Sequence, residues 1–244
     1  MGDGMGGLFR GPIAAIALAV ASGAAVADSL TVSPILIDMQ APKATTTVTI
    51  ESSGSEQLNA QVRVFKWSVV NGKDQLMPTK DVVASPPALK VKPNGKAVIR
   101  IVRKNKQPVT SEESYRLIVS EVPRSPKMNS GVGVSFRYSI PAFFTPQDVA
   151  PDIQWSATAS KGNLLIKATN TGSRRLRLAN LGIKKGIKTV TVASGLSGYV
   201  LVNSSRVWIL KGGAKNASNG STVNIVAEGD LGQVSATAVV GAVN

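Results

Sequence analysis

The 244-residue chain contains no cysteine and no histidine. Without cysteine there is no disulfide framework and no thiolate nucleophile. Without histidine there is no Ser-His-Asp or Cys-His arrangement and no imidazole metal ligand. The side chain that most often moves protons near neutral pH is also missing. The 14 acidic residues are scattered, and neither a Gly-rich phosphate loop nor a metal-ligand spacing is present. These absences leave no catalytic residue, metal ligand or cofactor site to name, and the expectation is a protein that is not an enzyme. Stability must come from packing and backbone hydrogen bonds.

Long hydrophobic runs are confined to the start. Residues 1–27 hold one early cation, Arg10, then an uncharged Ala/Ile/Leu/Val-rich stretch ending in Ala25-Val26-Ala27. This is the pattern of a secretory signal peptide with an A-x-A cleavage site. The apolar run is short for a membrane span and no cationic stop follows it. The expectation is export, with residues 28–244 as the mature protein.

Negative charge is the other scarcity. The formal net charge is +14, and residues 161–190 carry eight Lys or Arg and no acid. Such a run suits anionic partners, but it equally makes a solvated, soluble face. No aromatic residue is interleaved with these cations, as a single-strand binder would need. The solvated face is the preferred reading, and no nucleic-acid partner is expected.

What the chain does have is short runs rich in Val, Ile, Thr and aromatics, separated by Gly, Pro, Asn and Ser. That spacing predicts an all-β sandwich or barrel. "TTTVTIES" (45–52) and "NAQVRVFKWSVV" (59–70) read as strands, with an Asn71-Gly72 turn after the second. "ALKVKPNGKAVIRIVRK" (88–104) reads as two strands about Pro93-Asn94-Gly95. "SYRLIVSEVP" (114–123) ends at Pro123, which cannot extend a ladder. At "TPQDVAPD" (145–152) the period-two pattern stops, and six further short strands follow. Two all-β domains are expected, 28–146 and 147–244, without a repeat relating them.

"VSFRYSIPAFF" (134–144) alternates most strictly. Val134, Phe136, Tyr138 and Ile140 share one side, opposite Ser135, Arg137 and Ser139. From pattern alone the row packs into the chain's own core.

Four stretches in order resemble the periplasmic pilus-assembly chaperones called PapD-like: "VFKW" (64–67), "SPPALKVKPNGKAVIRIVR" (85–103), "ESYRLIVSEVP" (113–123) and "VSFRYSIPAFF". In the second half, "EGDLGQ" (228–233) is similar to a late turn of the family. The wording is most similar to the archaic branch, whose clients are spore-coat-U-type pilins. The resemblance implies two immunoglobulin-like β-sandwich domains set at an angle, with a cleft between them. It implies a periplasmic chaperone that caps pilus subunits by donor-strand complementation and delivers them to an outer-membrane usher. A self-capping homodimer is a further partner state that such a strand allows. The implied subunit-binding row is Val132, Val134, Phe136, Tyr138 and Ile140. Ala142, Phe143 and Phe144 fall to the domain core or the interdomain corner.

The resemblance also has gaps. Better-known members hold the subunit's terminal carboxylate between an Arg and a Lys in the cleft, and here those positions are Pro34 and Pro141. Arg100, Arg103, Arg116 and Arg137 are the candidate replacements, because a guanidinium grips a carboxylate bidentately. Glu121 and Asp230 match acids that lock the domains, but the intervening arginine is replaced by Thr145. The competing expectation is an exported structural or adhesive immunoglobulin-like module with no chaperone role.

Overall fold

In the computed structural model the described residues are 30–122 and 135–242, together with Gly2. The expected leader (Gly2 aside), the 124–131 loop, Val132 and Val134 lie outside them. The first group of strands is β1 (Leu30–Ser33), β2 (Ile37–Gln40), β3 (Thr45–Ser52), β4 (Leu58–Val70), β5 (Lys73–Pro78), β6 (Val82–Ser85), β7 (Ala88–Val91), β8 (Lys96–Arg103), β9 (Glu113–Glu121) and β10 (Arg137–Thr145). The second is β11 (Ile153–Ser160), β12 (Asn163–Asn170), β13 (Leu176–Lys185), β14 (Lys188–Val200), β15 (Ser204–Leu210), β16 (Thr222–Gly229) and β17 (Gly232–Ala242). A single 3-10 turn at Gly213–Asn216 lies between β15 and β16.

The first group makes two facing sheets, β1-β3-β8-β6 and β2-β10-β9-β4-β5, with β7 also paired to β4. Period-two alternation sends Val48, Ile50, Ile99 and Ile101 inward from the first sheet. Val62, Leu117, Val119, Ile140 and Phe144 meet them from the second. The odd-numbered Trp67 and Val69 of β4 point the other way, out of this core. The β4–β5 hairpin closes through Asn71 and Gly72, both at positive φ (52° and 74°), as a type I′ turn requires.

The second group is also a sandwich. One side is β14-β13-β16-β17 and the other is β11-β12-β15. Strand β17 pairs with β16 through Val239, then pairs in parallel with β11 from Val240 to Ala242, so it closes one flank. Leu164, Ile166, Leu178, Leu181, Ile225 and Val240 form the core. Seven strands stand where six were expected. The additional one is β11, "IQWSATAS", whose inward row opens with Ile153 and Trp155 but fades to Ala157 and Ala159, leaving only two large apolar positions to mark it in sequence.

Gly172 lies where the link from β10 to β11 folds back on the β12–β13 turn. A Cβ there would lie 2.3 Å from the Asp152 nitrogen and 2.6 Å from the Ala150 oxygen. Both are backbone atoms. Gly172→Ala is expected to destabilise the protein by about 1–3 kcal/mol, lowering Tm by roughly 2–4 °C per kcal/mol. Differential scanning calorimetry checks this, and an unchanged Tm would show that the link yields freely.

Candidate functional site

Strand β10 is unequally covered. On one side it pairs with β9 over its whole length, from Arg137 opposite Ser120 to Phe144 opposite Glu113. On the other side β2 covers only Ala142 to Thr145. Among the described residues, no strand pairs with that side of Arg137–Pro141. This open segment is a template for another strand.

The side chains of the expected row divide along β10. Ile140 is 2% exposed and belongs to the chain's own core, so it is not free to enter a partner. Tyr138 is partly buried against the same core, and its hydroxyl donates to the Leu30 carbonyl. Phe136 precedes the strand and, like Tyr138, is partly buried against the core. Its N–H donates to the Glu121 carboxylate (3.2 Å), while its carbonyl accepts from the Glu121 N–H (2.9 Å).

Beyond Ile140 every residue of β10 is buried, because both faces are covered. Ala142 and Phe144 continue into the core, whereas Phe143 turns outward onto Trp67, Tyr199 and Leu201. The three rings lie 5.6–5.9 Å apart between centroids, within the range of favourable ring pairs. Tyr199 comes from the second sandwich, so this cluster joins the two.

Beside it sits Arg175, 1% exposed at its side chain. Its guanidinium lies 3.7 Å over the Phe143 ring. It contacts Glu112 (2.5 Å), Asp38 (2.5 Å) and Asp230 (3.7 Å). Glu112 also accepts from the Thr145 hydroxyl (2.8 Å) and the Arg175 N–H (3.0 Å). Burial pushes the Glu112 carboxyl above its ordinary value, against the opposing pull of Arg175 and Thr145. The lock is therefore present, but not with the expected partners. Asp230 takes part, whereas Glu121 lies at the far end of β9 and binds the Phe136 N–H. Thr145 does stand in the network, and the arginine comes from residue 175 instead. A second clamp joins Arg206 to Asp74 at 2.7 Å.

The four candidate cations have separate fates. Arg103 is paired bidentately with Glu113 (2.9 and 2.7 Å). Burial works to raise the Glu113 carboxyl, but the bonds from Arg103 and Tyr115 hold it below its ordinary value. Arg100 lies opposite Thr47 and Ser85 in the other sheet. Arg137 is exposed, opposite Ser120. Only Arg116 faces the interdomain surface. It is opposite Pro141 in register, and its guanidinium lies 3.7 Å over the Trp67 ring. Burial lowers its pKa against the pull of Asp74. The buried Trp67 Nε1 finds no acceptor among the described residues. Also among the described residues, no three His, Cys, Asp or Glu side chains form a group able to hold a metal ion.

A model described as pili and flagellar-assembly chaperone, PapD N-terminal domain, matches residues 29–150. The chain belongs to this chaperone family. Its fold is similar to a chain of the CsuC–CsuE chaperone–tip adhesion subunit pre-assembly complex from archaic Csu pili of Acinetobacter baumannii. That match has 26% identity and a TM-score of 0.66, covering 88% of this chain and 100% of that one. The Salmonella enterica SafA pilin–SafB chaperone complex gives 16% identity and a TM-score of 0.58, covering 86% and 96%. The Pseudomonas aeruginosa CupB2 chaperone gives 17% and 0.55, covering 85% and 98%. A search of curated proteins finds no match. The two-sandwich architecture is thus the chaperone fold.

Arg175→Ala would strand Glu112 in a site where its side chain is fully buried. Losing one member of a buried ion pair costs about 3–5 kcal/mol. Urea unfolding is expected to show that loss, with Glu112→Gln milder because its amide oxygen still accepts from Thr145. Equal effects for the two variants would mean that charge is irrelevant to the lock.

Proposed function

We propose that this protein is a periplasmic chaperone that captures spore-coat-U-type pilus subunits by donor-strand complementation and delivers them to an outer-membrane usher. Residues 1–27 serve as the cleaved signal peptide, 28–146 as the strand-donating domain and 147–244 as the second domain. The observation that carries this reading is the open half of β10, Arg137–Pro141, paired on one side only. The chaperone–subunit complexes among the similar structures support it.

An incomplete immunoglobulin fold exposes two sheet edges and an apolar groove. A donated strand satisfies both edges with main-chain bonds and fills the groove with every second side chain. In this chain Ile140 is buried in its own core and Tyr138 is tied to Leu30 by its hydroxyl, so the part offered to a subunit begins at Phe136, which only leans on that core. Period two extends it to Val134 and Val132. Burying three such side chains contributes roughly 1.5–3 kcal/mol each, a gross figure before association costs. Without a subunit, the same edge pairs with a second copy of the chain, which gives the self-capping dimer.

Arg116 replaces the missing cation pair. It stands across from Pro141, where the better-known relatives are basic, with its guanidinium over Trp67. There it meets the subunit's terminal carboxylate through a charge-assisted hydrogen bond.

Pull-down from cells co-expressing the client pilin tests both assignments. Phe136→Asp is expected to lose the pilin and keep the β circular-dichroism spectrum, whereas Ile140→Asp unfolds the first domain. Full pilin recovery with a folded Phe136→Asp protein would overturn the donor-strand reading. Arg116→Gln is expected to weaken pilin retention by about 10-fold or more, as for loss of a buried charged partner. Retention equal to wild type would remove Arg116 as the anchor.

A further inference from the structure

The second sandwich is electrically polarised along its strands. Strands β11, β13, β15 and β17 run away from the interdomain lock, and β12, β14 and β16 run back, as their antiparallel pairings require. Three connections therefore meet at the far pole. The β11–β12 turn carries Lys161, the β13–β14 hairpin carries Lys184, Lys185 and Lys188, and the turn after β15 carries Lys211 and Lys215. Leu164, Lys184, Lys185, Leu210 and Gly213 line one small cavity, which places the ends of β12, β13 and β15 together. All six lysines are exposed.

The acids lie at the opposite end. Residues 149–244 contain only Asp152, Glu228 and Asp230. Asp152 accepts from Thr171 beside the interdomain link, and Asp230 lies 3.7 Å from Arg175. Glu228 is opposite Gln233, next to the same β16–β17 turn. The near end is thus mixed in charge, while the far pole carries six cations and no acid among the described residues.

One apolar residue stands out at that pole. Ile187, between Gly186 and Lys188 at the hairpin tip, is 98% exposed. It adds nothing to the core, and hairpin turns favour small or polar residues. Cations flanking a projecting aliphatic side chain suit an anionic lipid surface, where lysines meet phosphates and the apolar group enters the headgroup layer. The connections carry no aromatic ring for base stacking.

We propose that the far pole of the second sandwich docks the protein on an anionic phospholipid leaflet, through Lys184 and Lys188 with Ile187 as the inserted group. This surface is separate from the subunit-binding edge, and its test does not depend on that reading.

The exported, purified protein is sedimented with phosphatidylglycerol–phosphatidylcholine vesicles and with pure phosphatidylcholine vesicles. Binding is expected only to the former, falling steeply with salt. Each lysine at such a surface is worth roughly a fivefold change in partitioning, so Lys184→Gln with Lys188→Gln should lose about 25-fold. Ile187→Ser should lose several-fold with charge unchanged. The matched pair Lys90→Gln with Lys92→Gln, on the first sandwich, should leave binding unaltered. Circular dichroism confirms that each variant is folded. Three results would overturn the proposal. One is equal sedimentation with both vesicle types, or with neither. Another is equal loss in the Lys90/Lys92 control. The third is indifference to Ile187→Ser with full displacement by duplex DNA, which marks generic polyanion binding.

Discussion

A single guanidinium, that of Arg175, fixes how the two sandwiches meet. Taking an arginine out of water costs several kcal/mol unless its donors are paired. Here the pairing needs Glu112 and Asp38 from the first sandwich and Asp230 from the second, with the Phe143 ring as a floor. A planar fork accepts few arrangements of such partners. The net contribution to stability is modest, since burial opposes the Glu112 charge. Its effect is on orientation. With this geometry set, Tyr199 reaches Trp67 and Phe143, and Arg206 reaches Asp74.

That orientation gives β10 its division of labour. Its C-terminal half is sealed by β2, by the core and by the aromatic cluster, so it is held on every side. Its N-terminal half, though Tyr138 and Ile140 pack on the core, has among the described residues main-chain pairing to β9 alone. Pro141 marks the border, and a proline has no N–H to offer a new ladder there. A strand held firmly at one end and open at the other presents a template without the whole edge becoming an aggregation hazard.

Much of this was legible in the residues. Alternation located β3, β4, β8, β9 and β10, and the Asn71-Gly72 turn closed where its two positive φ values allow. Strand β11 was hidden because its inward row is short, Ile153 and Trp155 followed only by Ala157 and Ala159, next to a Pro-bracketed link. The division of the 134–140 row was also hidden. Periodicity tells which side chains share a face but not where one protein's core ends and another's begins. The lock shows the same limit. Glu112 and Glu113 are adjacent and point to opposite sides, one to Arg175 and the other to Arg103. Nothing local distinguishes the acid that crosses to the other sandwich, because its partner lies 63 residues away.

The basic run of residues 161–190 illustrates how folding sorts charge. In sequence it is one solvated stretch. In the structure it separates by place, and largely by side-chain type: Lys167 alone stands in mid-strand on β12, beside Val69, Asn71 and Gly72 of the first sandwich. Arg174, Arg175 and Arg177 cluster at the near end, where Asp230 contacts both the Arg175 guanidinium and the Arg177 N–H. Lys161, Lys184, Lys185 and Lys188 go to the far pole. Arginine is suited to the buried junction because its fork holds several acceptors at once, and lysine to the open pole because its ammonium keeps its water. The few acids of this sandwich are drawn to the junction, where unpaired arginines would be costly, and among the described residues none of them stands at the pole. A charge serving solubility alone gains nothing from such segregation. A surface that must lie flat on anions does, because like charges gathered at one pole raise the potential that an anionic leaflet meets.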